Sequence, residues 1–167
     1  KFLNYTRFWP GDTCAVFTRS AKAPNKLRQT IRGLRPGRLY KITFATSDYD
    51  QVKREMAHEK PAIVPEEPAH FGVKIAAGGE EVPELRHVIY DQGKYGRGRV
   101  VSNRFVFRAT AAEAEIVFSD WDDDQTPGGE IGRRRLVNYI GVYPFYLPDE
   151  SQLETLKKLT MRAKGMK

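Results

Sequence analysis

The chain has 167 residues and 19.1 kDa, with 28 lysines and arginines against 21 aspartates and glutamates, a formal charge of +7. One domain is the natural reading, because surface scaling buries about 70% of an unfolded chain of this size and so supports a core without staples. The single cysteine, Cys14, excludes an intrachain disulfide and a multi-thiolate metal cluster, and 40% apolar with 11% aromatic residues excludes a disordered chain.

Taken in order, Cys14–Thr18 and Leu27–Ile31 read as short strands. Between Leu34 and Arg38, Pro36 and Gly37 stand where a type II turn needs first a fixed and then a positive φ. Leu39–Thr46 alternates Tyr40, Ile42 and Phe44 against Lys41 and Thr43, the period of a half-buried antiparallel strand. A short helix is predicted over Asp50–His58, followed by a connector holding Pro61, Pro65 and Pro68. The two-residue period returns in Phe71–Ile75, Arg104–Arg108 and Ala114–Phe118, with a shorter strand at His87–Tyr90. Asp91–Asn103 reads as a glycine-rich loop, and Ser119–Arg135 as a loop acidic at its start and basic at its end. The apolar run Leu136–Leu147 predicts a last strand covered on both faces. Beyond Pro148, Leu153, Leu156 and Leu159 fall at helical spacing, with Ser151 as N-cap and Glu154 three residues on, so Ser151–Lys164 predicts a helical tail.

Seven or eight strands with turns between them predict an all-β antiparallel sandwich or barrel over residues 1–148, and residues 149–167 a helical tail or linker. Gln29, Gly33, Leu34, Pro36, Gly37 and Tyr40 match a Q-x-[IV]-x-G-L-x-P-G-x-x-Y stretch that joins neighbouring strands. With the early Ala15–Val16 strand and the late Phe105–Phe118 pair, that stretch resembles the carbohydrate-binding modules of the family 4/9/22 type. The likeness covers roughly residues 9–147; where those modules end in an acidic signature, this chain has Asn138. The resemblance implies a galactose-binding-like jelly roll that is not an enzyme and targets a secreted or periplasmic glycan-degrading enzyme to polysaccharide. It also implies a parent catalytic domain as partner and no required cofactor, with a structural calcium ion as an option. An accessory sandwich packed against a glycoside hydrolase domain, with no ligand of its own, is the alternative.

Sugar rings need flat apolar surface for their C–H faces and planar polar groups to read hydroxyls. Trp121, set between Asp120 and Asp122, reads either as a stacking platform or as a loop anchor. Tyr95 in the glycine-rich loop and Tyr49 at a strand end are further stacking candidates, Arg97 and Arg99 suit a carboxylate or sulfate, and Asp123 a hydroxyl. Tyr40, Phe44, Phe105, Phe107 and Phe118 read as core, and Trp9 as a plug under the sandwich. Asp120, Asp122 and Asp124 offer oxygens at alternating positions, as a hard cation such as calcium prefers, but Gln125 and Ile131 stand where an EF-hand loop needs Gly and Glu. Arg28 and Arg32 alternate outward and are expected to pair with acids. His58, His70 and His87 lack metal spacing, no serine sits in a G-x-S-x-G elbow, and Gly93–Gly98 is not a Walker loop, so catalysis finds no motif. No apolar run approaches the roughly 18 residues that span a bilayer. The positive charge also admits a nucleic-acid reading, unsupported by any aromatic-glycine motif.

Overall fold

A computed structural model describes residues 14–57, 59, 72–91, 100–121, 123–147, 149, 151, 152, 154, 155 and 158. Among these, the order is β1 (Ala15–Thr18), β2 (Lys26–Arg32), β3 (Leu39–Asp48), α1 (Tyr49–Met56), β4 (Gly72–Ala77), β5 (Gly79–Glu81), β6 (His87–Asp91), β7 (Val100–Ala109), β8 (Glu113–Ser119) and β9 (Arg134–Pro144). A 3-10 turn lies at Pro83–Leu85. Six strands form one sheet in the order β1-β9-β3-β7-β5, with β6 also on β7, and three form the second, β2-β8-β4. Every pairing between described strands is antiparallel, so the chain is an all-β sandwich. Strand β7 serves two neighbours in turn: Val100–Arg104 pairs β6 and Phe107–Ala109 pairs β5.

The alternation read in the sequence is what joins the sheets. Tyr40, Ile42 and Phe44 of β3 and Phe105 and Phe107 of β7 face Ala114, Ile116 and Phe118 of β8 in one buried cluster. Phe44 meets Phe118 edge to face at 5.1 Å, and Tyr40 stacks on its cross-strand partner Phe107 at 5.8 Å. Burial of such rings is the main stabilising contribution here, since each removes a large apolar area from water. The turn at Pro36 and Gly37 is of type II as predicted: Gly37 has φ +81°, and the Arg38 amide donates to the Arg35 carbonyl at 3.1 Å.

Three sequence expectations change. The helix starts earlier, at Tyr49, because the Asp48 carboxylate accepts the Asp50 and Gln51 amides and caps it; His58, the expected end, lies outside the described residues. The tail is helical at its described positions between Ser151 and Lys158, but Asp149 takes the capping role, accepting the Ser151 amide at 2.9 Å. The last strand ends at Pro144 rather than Leu147, and it is covered on both faces only over Arg135–Asn138. Past that point Tyr139 adopts φ 55°, the register against β3 shifts between Thr43 and Ala45, and Ile140 and Tyr143 emerge into solvent.

That change leaves an opening on the outer face of the six-stranded sheet. At one end α1 packs on β3 and β9, with Val52 and Leu136 buried. At the other, Leu39, Val82, Leu85 and Val106 form a second apolar cluster, closed by Phe145 and Leu147 as the chain turns back over β3. The floor between these two covers is half-exposed and polar.

Candidate functional site

The end of the sandwich that holds the loop candidates is tied together internally. Trp121 is only 6% exposed, and its indole N–H donates to the Ser20 carbonyl at 3.0 Å. Of the two roles its sequence leaves open, the structure selects the anchor. Asp120 is fully buried and its two carboxylate oxygens accept the Asn25 backbone and side-chain N–H groups at 2.8 and 2.7 Å. The Asp120 carbonyl takes the Arg19 Nε–H at 2.7 Å, linking the loops of both sheets. Beside them Asp48 pairs with Arg133 at 2.7 Å and with Arg135 at 3.6 Å, all three largely out of solvent. This is a structural plug, and its charges are directed at one another.

The remaining loop candidates divide. The Tyr49 ring lies under the Arg134 guanidinium at 4.8 Å, which is itself paired with Asp50, so Tyr49 is not an open platform. Asp123 accepts the Gln125 and Thr126 amides and closes its own turn, which holds its carboxyl below the usual range. Asp124 is clamped between Lys26 and Lys74, each at 2.6 Å, and those bonds lower its pKa to about 2. Two of the acids offered to calcium, Asp120 and Asp124, are thus turned to other partners, and among the described residues no group of three His, Cys, Asp or Glu side chains is placed to hold a metal. Asp122, Tyr95, Arg97, Arg99 and Trp9 lie outside the described residues.

The open part of the six-stranded sheet carries an exposed ring, as does the segment after β9 with Tyr146. Tyr143 on β9 is 51% exposed, and its side chain lies back across Gly141: a Cβ built on Gly141 would stand 2.6–2.9 Å from the Tyr143 ring and hydroxyl. Only glycine leaves room for that ring against the strand, a cover known from sheets where an aromatic shields a glycine. The Lys41 Nζ is 5.7 Å from the ring centroid. Directly opposed residues of antiparallel strands share a face, so the register sets out a row. His87 on β6 pairs with Arg104 on β7, Arg104 with Thr43 on β3, and Thr43 with Gly141 on β9, beneath the Tyr143 ring. At about 4.8 Å per strand the row is about 14 Å long. The Arg104 guanidinium lies 5.7 Å from the Phe145 ring, with its Nε buried and unbonded. Ser102 adds an exposed hydroxyl one step along β7.

No family model, curated protein or solved structure matches the chain. The site therefore rests on its own geometry. A flat ring beside hydroxyls and planar donors, on a rigid sheet open to solvent, can stack a pyranose and read its hydroxyls. No helix among the described residues is long and apolar enough to cross a membrane.

Sequence reasoning placed its candidates in loops and missed Tyr143, reading Leu136–Leu147 as covered throughout. A signal was present: Gly141, Tyr143 and Phe145 alternate against Val142, with the glycine two residues before the tyrosine.

Proposed function

We propose that the chain is a non-catalytic carbohydrate-binding module of jelly-roll type, which holds a secreted or periplasmic glycan-degrading enzyme at its polymer. The observation that carries this reading is the half-exposed Tyr143 ring lying back over Gly141 between the two covers of the sheet face, with Thr43 paired to Gly141 and with Arg104 and Ser102 on the same face of β7. The ring contributes apolar stacking; the hydroxyls and guanidinium contribute orientation, because each leaves a sugar hydroxyl paired where water would otherwise pair it. Attachment to a polymer then raises the local concentration of a tethered catalytic domain, with no chemistry required of the module. Affinity electrophoresis against neutral and acidic polysaccharides tests it. Retardation that Tyr143→Ala removes supports the reading, and no retardation in any gel overturns it.

One observation favours a second reading, an accessory sandwich without a ligand. Trp121 and Tyr49, two of the three aromatics expected to face a glycan from the loops, are packed inward or engaged by Arg134, the third, Tyr95, lying outside the described residues. On that reading Tyr143 is a contact with the catalytic domain, and its substitution weakens domain association while leaving every polysaccharide gel unchanged.

A further inference from the structure

We infer that the polymer taken by this face is acidic, a polysaccharide whose rings carry uronic carboxylates; the inference rests on the binding-module reading above. It follows from how the chain disposes of its surface cations. On the outer face of the three-stranded sheet Arg28 bonds Glu115 at 2.9 Å, Arg32 bonds Glu113 at 3.0 Å, and Lys26 and Lys74 share Asp124. Further along the six-stranded sheet Arg86 reaches Glu81 at 3.7 Å. On the face that carries Tyr143, Lys41, Arg104 and His87 depart from this pattern, as the loop cations Lys22, Arg35 and Arg38 also do. Among the described residues none of Lys41, Arg104 and His87 has a carboxylate partner; Lys41 faces the Tyr143 ring and Arg104 the Phe145 ring.

Aromatic faces hold a cation in place without neutralising it, so both side chains are positioned while their charges stay available. Two cationic side chains on the neighbouring strands β3 and β7, with the His87 imidazole beyond them on β6, form a distributed strip rather than one pocket. A polymer with one planar anion per ring complements such a strip: Lys41 swings from the Tyr143 ring to a carboxylate as a sugar ring stacks in its place, while a successive carboxylate meets Arg104. The guanidinium fork matches a carboxylate in two parallel bonds, and a half-buried setting strengthens each of them.

The test compares the wild-type chain in gels containing polygalacturonate with gels containing the same polymer fully methyl-esterified, which removes the charge and keeps the backbone. Esterification is expected to weaken retardation by about tenfold or more, the loss of one charge-assisted bond or more. Lys41→Met with Arg104→Met is expected to erase that difference, whereas Arg28→Gln with Arg32→Gln, which removes the same two charges from the other sheet, leaves it intact. Equal retardation by both polymers, or binding only to a neutral glucan or xylan, overturns the inference and leaves the module reading standing. Equal losses in the two charge-matched pairs, or equal retention by duplex DNA, also overturn it, because attraction is then to net charge. Retardation by no polysaccharide overturns the module reading with it. The ester comparison uses unaltered protein and so decides the matter even where a variant fails to fold.

Discussion

The outer faces of the two sheets are built from similar residues and finished in opposite ways. On the three-stranded sheet each of Lys26, Arg28, Arg32 and Lys74 ends on a carboxylate of a neighbouring strand or loop, over a buried Val117. On the six-stranded sheet Lys41 ends on the Tyr143 ring and Arg104 on the Phe145 ring, and Tyr143 stays half exposed above Gly141. The first face is satisfied within the chain; the second leaves charge, ring and hydroxyl groups for something outside it. Exposed ion pairs each contribute little to stability, so their arrangement on one face matters more for what that face does not attract.

The largest effect is expected from removing the frame that carries both faces. Asp48→Ala removes the buried carboxylate that Arg133 and Arg135 share, leaves Arg133 with the exposed Glu130, and uncaps α1, so it should cost about 3 kcal/mol in denaturant unfolding. Below its own transition the variant should bind polysaccharide as the wild type does; weakened binding in the folded range would tie the site to the buried end instead. Next comes Tyr143→Ala. Truncating a central aromatic at a binding surface costs on the order of 2 kcal/mol, or roughly 30-fold in affinity, while the melting temperature of the chain should move little because the ring is half in solvent. Tyr143→Phe should retain most of the affinity.

A smaller and more specific change is Gly141→Ala. Its methyl group would occupy the space of the Tyr143 ring, which sits at the end of a flexible side chain, so the ring lifts and the fold holds. Affinity should fall several-fold, less than for Tyr143→Ala, as about one misplaced aromatic contact implies. An unchanged affinity would mean that the position of the ring over Gly141 is irrelevant. The reciprocal manipulation on the other sheet is Glu113→Gln with Glu115→Gln, which frees Arg32 and Arg28. Stability should shift by less than about 1 kcal/mol per pair, and no polysaccharide binding should appear on that face, because freed charge there has no ring beside it.

The smallest effect concerns acid. Asp124 titrates at about 2 when folded, below the ordinary carboxylate value of 3.8, because Lys26 and Lys74 bond its ionised form. Its contribution to stability is therefore full above the ordinary value and disappears as pH falls through about 2. The difference in urea midpoint between wild type and Asp124→Asn should be constant from neutral pH down to the ordinary carboxylate range and should close below it. A difference that persists at the acid end would place the benefit in something other than the two lysine bonds.

Most of the frame was legible because the core obeys a two-residue period. Tyr40, Ile42 and Phe44 announce their face, and Pro36 with Gly37 announces the turn that feeds it. The outward Arg28 and Arg32 found acids as expected. Trp121 was not legible, since its sequence neighbours are aspartates while its decisive contact, Ser20, lies 101 positions away. Asp120 was misread for the same reason, its partner Asn25 being 95 positions distant. Tyr143 was hidden in a different way. An apolar run does not say where cover stops, and here it stops because α1 is eight residues long and because the backbone at Tyr139 shifts register. Local composition reports which side chains prefer burial, and the reach of the covering elements decides which of them obtain it.

The most direct test of the site is an amide chemical-shift map of the labelled chain titrated with a soluble oligogalacturonide. Perturbations centred on Lys41, Thr43, Ser102, Arg104, Gly141 and Tyr143, with Thr30, Arg32, Glu113, Glu115 and Trp121 unmoved, are the predicted result. Shifts concentrated on the three-stranded sheet or at the Trp121 end, with the Tyr143 face silent, would contradict it.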